Sequence, residues 1–289
     1  MSSAVSIRQV LVPTDLSGGA ERALEHAGRL AERFQAALTL YHALLLPDNG
    51  LARWAAGDDS RLWERTETQI RDALGERARH LPGETHVIVE RSCSIHSSIV
   101  DLVRKLQPDL TVMATHGRQG LAHLLLGSVT EKVVERVFRP VLCLREAEHG
   151  QRFPYRRILV PTDLSLASRL AFPMAASLAR ALGSDVTGVH VIPSTPSSPT
   201  LSGMPPAEPA VIPSEAHLWK FFQTDFDGVP LSAQVLRGAV WERIVHLARV
   251  EEADLIVMST RGHDSLADHI LGSTTERVVR HAPCPVLVA

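Results

Sequence analysis

The residues best suited to chemistry come in two sets of the same make-up. In one, Gly117 sits in a small-residue loop and Gly127-Ser128-Val129-Thr130 follows after nine intervening residues. In the other, Gly262 leads at the same spacing to Gly272-Ser273-Thr274-Thr275. Far upstream of each lies a Pro-Thr-Asp turn, Pro13-Thr14-Asp15 and Pro161-Thr162-Asp163. Glycine in a loop permits positive φ or lets another group approach the backbone closely. Gly-Ser at the start of a helix gathers unpaired N–H donors, the positive end of the helix dipole and hydroxyls in one place, which suits phosphates. A carboxylate at the end of a strand complements this, because open α/β sheets bind ligands outside the C-terminal ends of their strands. A structural reading uses the same atoms. Ser128-x-x-Glu131 and Ser273-x-x-Glu276 have capping-box spacing, and Asp15 and Asp163 can cap helices. Recurrence of the whole arrangement, twice and in register, favours the ligand reading.

These residues need a strand, a turn and a helix to hold them. Leu110–Ala114 and Leu255–Ser259 are short apolar runs of the kind that form buried parallel strands. Gln9–Pro13 and Ile158–Pro161 read as first strands. The helix after the first turn spans about 19–35, with Ala23, Leu24, Ala27, Leu30, Ala31 and Phe34 on one face. Its counterpart spans about 167–182 and contains Pro173, which kinks it or delays its start. Second strands are read at Ala37–His42 and Val186–Val191, ending near His42 and His190, which read as satisfied imidazoles or strand-end groups rather than ligands. Third strands at His86–Arg91 and Leu231–Leu236, helices at about 96–106 and 240–250, and last strands at Val141–Leu144 and Pro285–Val288 complete two β-α-β-α-β-α-β-α-β units. The offset between copies is 145 residues at the Gly-Ser pairs and 148 at the aspartates, which means tandem domains rather than a solenoid.

The halves diverge after the second strand. The first has a loop at 47–57 and a charged helix at about 60–80. The second has a stretch, 193–213, with seven of the 18 prolines, read as a long loop or lid ahead of a shorter helix at about 214–222.

Composition narrows the function classes. The 289 residues carry a net charge of −2 and a pI near 6.7, so no general pull toward nucleic acid or anionic membrane is expected. No apolar run approaches a membrane span. The N-terminal residues lack a signal-peptide pattern and the three cysteines, Cys93, Cys143 and Cys284, follow no paired spacing, so a cytoplasmic setting is expected. There is no P-loop, no nucleophile elbow and no paired metal motif around Cys93-x2-His96.

Taken together, the motifs resemble the universal stress protein family in a tandem form, with domains at 1–147 and 155–289. The family pattern is Gly-x2-Gly-x9-Gly followed by Ser or Thr. Here it reads Ala114-x2-Gly117-x9-Gly127-Ser128 and Ser259-x2-Gly262-x9-Gly272-Ser273, with Ala114 and Ser259 in the first glycine's place. The resemblance implies an α/β fold of two doubly wound domains, each a five-stranded parallel sheet of order 3-2-1-4-5 with helices on both faces. It implies a stress-response protein that binds ATP, with Mg, or another adenine nucleotide in at least one half, and acts as a sensor or regulator. Any ATP hydrolysis would be slow, as no lysine follows the glycines and no base is evident.

Carried over residue by residue, the phosphate and ribose side comprises Gly117, Gly127, Ser128, Val129 and Thr130, and Gly262, Gly272, Ser273, Thr274 and Thr275. The nucleoside side comprises Pro13, Thr14, Asp15 and Ala43, and Pro161, Thr162, Asp163 and Val191. Met113, Ala114 and Arg118, with Met258 and Ser259, complete the expected set. The first half is expected to be the better site, since Ala114 intrudes less than Ser259, and Asp264 disfavours a polyphosphate. The last strands of the two halves are expected to pair as an intramolecular pseudo-dimer, and a further homodimer is left open. The alternative is a scaffold without nucleotide, working through protein partners or a small apolar ligand at 193–213.

Overall fold

A computed structural model of the chain describes residues 6–46, 60–115, 127–145, 152–194, 213–260 and 271–289. They fall into two compact units, 6–153 and 154–287. The first contains strands β1 (Gln9–Pro13), β2 (Ala37–Leu45), β3 (Thr85–Ser92), β4 (Leu110–Ala114) and β5 (Val141–Leu144). Its helices are α1 (Gly18–Phe34), α2 (Ser60–Arg79), α3 (Ile95–Leu106) and α4 (Ser128–Arg136). The second contains β6 (Arg157–Thr162), β7 (Asp185–Pro193), β8 (Leu231–Gly238), β9 (Leu255–Met258) and β10 (Val286–Val288). Its helices are α5 (Phe172–Leu182), α6 (Glu215–Gln223), α7 (Val240–Val250) and α8 (Ser273–His281).

The strand order is β3-β2-β1-β4-β5 in the first unit and β8-β7-β6-β9-β10 in the second, the same 3-2-1-4-5 order twice. The registered pairs within each unit are parallel. Parallel sheets are covered by helices on both faces, so their central strands are apolar throughout. Val10, Leu11 and Val12 of β1, and Ile158, Leu159 and Val160 of β6, are accordingly buried. Helix α1 turns a stripe of Ala20, Ala23, Leu24, Ala27, Leu30 and Ala31 inward. Alanine in that stripe lets the helix axis lie close to the sheet.

At the end opposite the turns, two aspartates lock the central strands together. The Asp109 carboxylate accepts from the backbone N–H groups of Arg8 and Gln9 at 2.7 and 3.0 Å. Asp254 does the same for Arg156 and Arg157 at 2.8 and 3.0 Å. A charged acceptor satisfies the first donors of β1 and β6, and ties each to the strand that begins beside it.

Two sequence expectations are corrected, and a third, the delay of a helix by Pro173, is borne out. Strand β2 does not end at His42. It runs on to Leu45, because β3 continues to pair with it through Leu45↔Ser92 after β1 has stopped at Pro13↔Tyr41. Likewise β7 continues to Pro193, which takes that proline out of the 193–213 loop. The helix of the second half starts late. Residues Ser168–Ala171 form a 3-10 turn and α5 begins at Phe172, with Pro173 in its first turn, where a missing N–H costs nothing. The interior of 193–213 lies outside the described residues. No helix among the described residues is long and apolar enough to cross a membrane.

Candidate functional site

In a 3-2-1-4-5 sheet the chain departs in opposite directions from the first and fourth strands. A crevice opens between their C-terminal ends, and ligands bind there in folds of this class. In the first unit that crevice lies at Pro13-Thr14-Asp15 and Ala114-Thr115. In the second it lies at Pro161-Thr162-Asp163 and Ser259-Thr260.

The turn after β1 is built almost wholly from its own side chains. The Thr14 hydroxyl accepts from Leu16 N–H at 3.1 Å and the Asp15 carboxylate from Ser17 N–H at 3.0 Å. Ser17 then caps α1 by accepting from Ala20 N–H at 3.2 Å. These bonds hold Leu16 at φ 63°. Positive φ in a leucine costs roughly 1–2 kcal/mol. The second unit repeats the device with Leu164 at φ 65°, Thr162 accepting from Leu164 N–H at 2.9 Å and Asp163 from Ser165 N–H at 3.0 Å. Asp15 is half-buried, whereas Asp163 is exposed. The capping reading of the two aspartates is thus partly right: each satisfies a turn N–H, while a serine caps the helix of the first half.

Each Thr carbonyl is also engaged. His42 Nδ1 lies 2.8 Å from the Thr14 oxygen, and His190 Nδ1 lies 2.9 Å from the Thr162 oxygen. Thr14 N–H donates to the Tyr41 carbonyl at 2.8 Å. Ala43 is half-buried and Val191 buried, each one residue beyond its histidine.

The opposite wall is the start of α4 or α8. Gly127 and Gly272 are the N-cap residues, at φ −60°, ψ 132° and φ −58°, ψ 137°, with no side-chain cap bond. The capping-box reading is therefore corrected. Ser128 and Ser273 lie one residue inside the helix and are exposed, so neither hydroxyl is the cap. The first backbone bonds of these helices run from Glu131 N–H to Gly127 and from Glu276 N–H to Gly272, both at 3.0 Å. The N–H groups of Ser128, Val129 and Thr130, and of Ser273, Thr274 and Thr275, precede those bonds and have no carbonyl within the helix to reach.

The helix start is fastened to the preceding strand. Buried Thr130 donates its hydroxyl to the Ala114 carbonyl at 2.8 Å, and Gly127 N–H donates to Thr115 at 2.6 Å. Thr275 donates to the Ser259 carbonyl at 3.0 Å, and Gly272 N–H to Thr260 at 3.1 Å. Thr130 and Thr275 thus serve first as ties that aim the helix. Met113 and Met258 are buried at the ends of β4 and β9. Ala114 is in extended strand conformation, and neither it nor Ser259 is among the residues of positive φ. The glycine missing from the family pattern at these two places is not one the backbone requires. Gly272 is not conformationally required either. A Cβ there would meet the Thr260 oxygen at 3.4 Å, an ordinary contact. Gly117, Arg118 and Gly262 lie outside the described residues.

The expectation that His42 and His190 are satisfied imidazoles is borne out, each Nδ1 meeting a threonine carbonyl. It did not place those partners in the site, and only the identical spacing of 28 residues from Thr14 and Thr162 hints at a shared role. Cys143 and Cys284 are buried, and burial pushes both thiols up to about 12.

The model of the universal stress protein family matches this chain twice, at residues 6–145 and 154–289. A universal stress protein of Mycolicibacterium smegmatis is 26% identical over 298 aligned residues, covering 96% of each chain. One from Mycobacterium tuberculosis is 27% identical and covers 100% of this chain and 98% of its own. Among solved structures, a universal stress protein from Archaeoglobus fulgidus aligns over 99% of this chain and 97% of its own, with a TM-score of 0.66 and 20% identity.

Proposed function

The chain belongs to the universal stress protein family across both halves, and on that premise we propose that it binds an adenine nucleotide in at least one half and works as a sensor or regulator. The observation that carries this reading is the uncapped helix start at Gly127 and Gly272, tied by a threonine hydroxyl to the strand beside it. Asparagine, aspartate or serine would cap these helices better than glycine. Glycine at ordinary dihedrals keeps side chains out of the space in front of the first N–H groups. That arrangement suits phosphate oxygens, which the N–H donors and the helix dipole stabilise together. Asp15 and Ala43, on β2, would meet the nucleoside. Magnesium, if it accompanies the nucleotide, would be held by the phosphates; its contribution is charge neutralisation.

The test is calorimetric titration of the whole chain with Mg-ATP, with mass spectrometry of any nucleotide released on denaturation. Binding is the expected result, and Gly127→Asp should abolish the first half's share of it, because a carboxylate cap repels phosphate and occupies the donors. Absence of both binding and released nucleotide refutes the proposal and redirects attention to protein partners.

A further inference from the structure

We infer that His42 and His190 are positioning residues of the two candidate sites, each fixing the Thr-Asp turn through its imidazole. This rests on the nucleotide-binding reading for its functional consequence but on separate geometry for its structure. A carbonyl oxygen can only accept, so the ring nitrogen 2.8 Å from the Thr14 oxygen and the one 2.9 Å from the Thr162 oxygen must each carry a proton. In the neutral ring that sets the tautomer: Nδ1 is protonated and Nε2 holds the lone pair.

The need for this donor follows from the sheet. Strand β1 stops pairing with β2 at Pro13↔Tyr41, while β2 runs on beside β3 through His42↔Val89 to Leu45↔Ser92. Thr14 is therefore the first residue beyond the ladder, nearly buried, with its N–H on the Tyr41 carbonyl. The imidazole from the next residue of β2 holds its carbonyl. The Thr14 backbone is thus gripped at both ends, and the turn that places the Asp15 carboxylate hangs from it. In the second unit Thr162 is paired with His190 itself, and the same nitrogen meets the same carbonyl. Two halves that differ elsewhere keep one imidazole–carbonyl bond at the same sequence separation. The histidines act on a ligand through the turn.

The experiment compares the full chain with the double variants His42→Phe/His190→Phe and His42→Asn/His190→Asn. Phenylalanine keeps a ring without a donor, and asparagine keeps an N–H near the Nδ1 place. Three readouts are taken: ring nitrogen shifts of the unsubstituted protein by NMR, amide exchange at Leu16, Ser17, Leu164 and Ser165, and affinity for Mg-ATP. Expected are the Nδ1–H tautomer, faster exchange at those four amides in the phenylalanine variant with recovery in the asparagine variant, and about tenfold weaker nucleotide binding that follows the same pattern, as for loss of one hydrogen bond. An Nε2–H tautomer in the unsubstituted protein overturns the inference even if no variant folds. Unchanged exchange and affinity in the phenylalanine variant overturn it as well. If the unsubstituted chain binds no nucleotide, the proposed function fails, and tautomer and amide exchange alone decide for or against the histidines.

Discussion

The two halves solve the core differently and the strand ends alike. At the middle of the second strand the first half has buried Leu40, and the second has Gly188. A Cβ at Gly188 would lie 2.6 Å from the Phe222 ring. That ring stacks on Phe172 with centroids 4.4 Å apart, and Phe226 meets both at 5.5 Å. At the place of Phe172 the first half has Leu24. At these places one half is thus packed with leucines and the other around three phenylalanines joined across α5, α6 and the residues after it. The turns after β1 and β6 nevertheless hold the same leucine at φ 63° and 65°, and the helix starts share their dihedrals within a few degrees. Core volume can be redistributed as long as it is filled. The geometry at the strand ends has not drifted with it, which is expected if a ligand rather than packing sets it.

The largest test of this contrast is the aromatic core. Phe222→Ala should cost the second half about 3–5 kcal/mol, read by chemical denaturation with separate probes in each half. Gly188→Leu, which installs the first half's residue, should also destabilise through overcrowding. A neutral Gly188→Leu would contradict the close approach of the Phe222 ring to Gly188.

A second difference is His26, which is buried against Phe153 in the first half, where the second half has Met174. Burial, with Arg29 adding to it, lowers its pKa from 6.5 to about 4. The unfolded chain then binds more protons than the folded one between those values, so stability rises with pH across that window. On acidification the first half should lose up to about 3 kcal/mol, progressively from pH 6.5 to below pH 4. His26→Met should flatten that dependence in the first half and leave the second unchanged. An unaltered pH profile in the variant would rule out His26 as the source.

Smaller effects separate the sites. If Ser259 restricts the second half, Ser259→Gly should tighten nucleotide binding there by up to about tenfold, while Ala114→Gly should change the first half less. Equal gains would remove the argument that the halves differ. The smallest expected effect is chemical: a thiol reagent should label exposed Cys93 in the native chain and spare Cys143 and Cys284. Labelling of all three under native conditions would contradict their burial.

Much of this was legible in the sequence, because the signals were local. Pro-Thr-Asp-Leu-Ser, the alanine stripe of α1 and the Gly-Ser pairs each announce an element within a few residues, and the family resemblance supplied the strand order. That His42 and His190 are satisfied imidazoles was legible; their threonine partners, the Asp109 and Asp254 locks and the Gly188–Phe222 contact were not, since the partners lie 28, about a hundred and 34 residues away. The pattern Ser-x-x-Glu does not locate the cap, because it fits equally well one residue inside a helix that glycine caps. The sequence pattern ends β2 at His42 because nothing local shows that β3 outlasts β1 as its partner.

The central place of β1 has a consequence for synthesis. One of its edges pairs with β2 at once, but the other waits for β4, and the Asp109 lock joins residues 101 positions apart. At roughly 5–20 residues per second, that apolar edge stays open for roughly 5–20 s on the ribosome. The second half meets the same delay between β6 and β9, where the Asp254 lock spans 98 positions. Each nascent half is therefore expected to offer an open strand edge to chaperones until its fourth strand emerges. Ribosome-arrested chains ending before Leu110 should be readily cut by protease, and chains extending past Leu144 should resist it. Protection of the shorter chains would show that three strands close without the fourth.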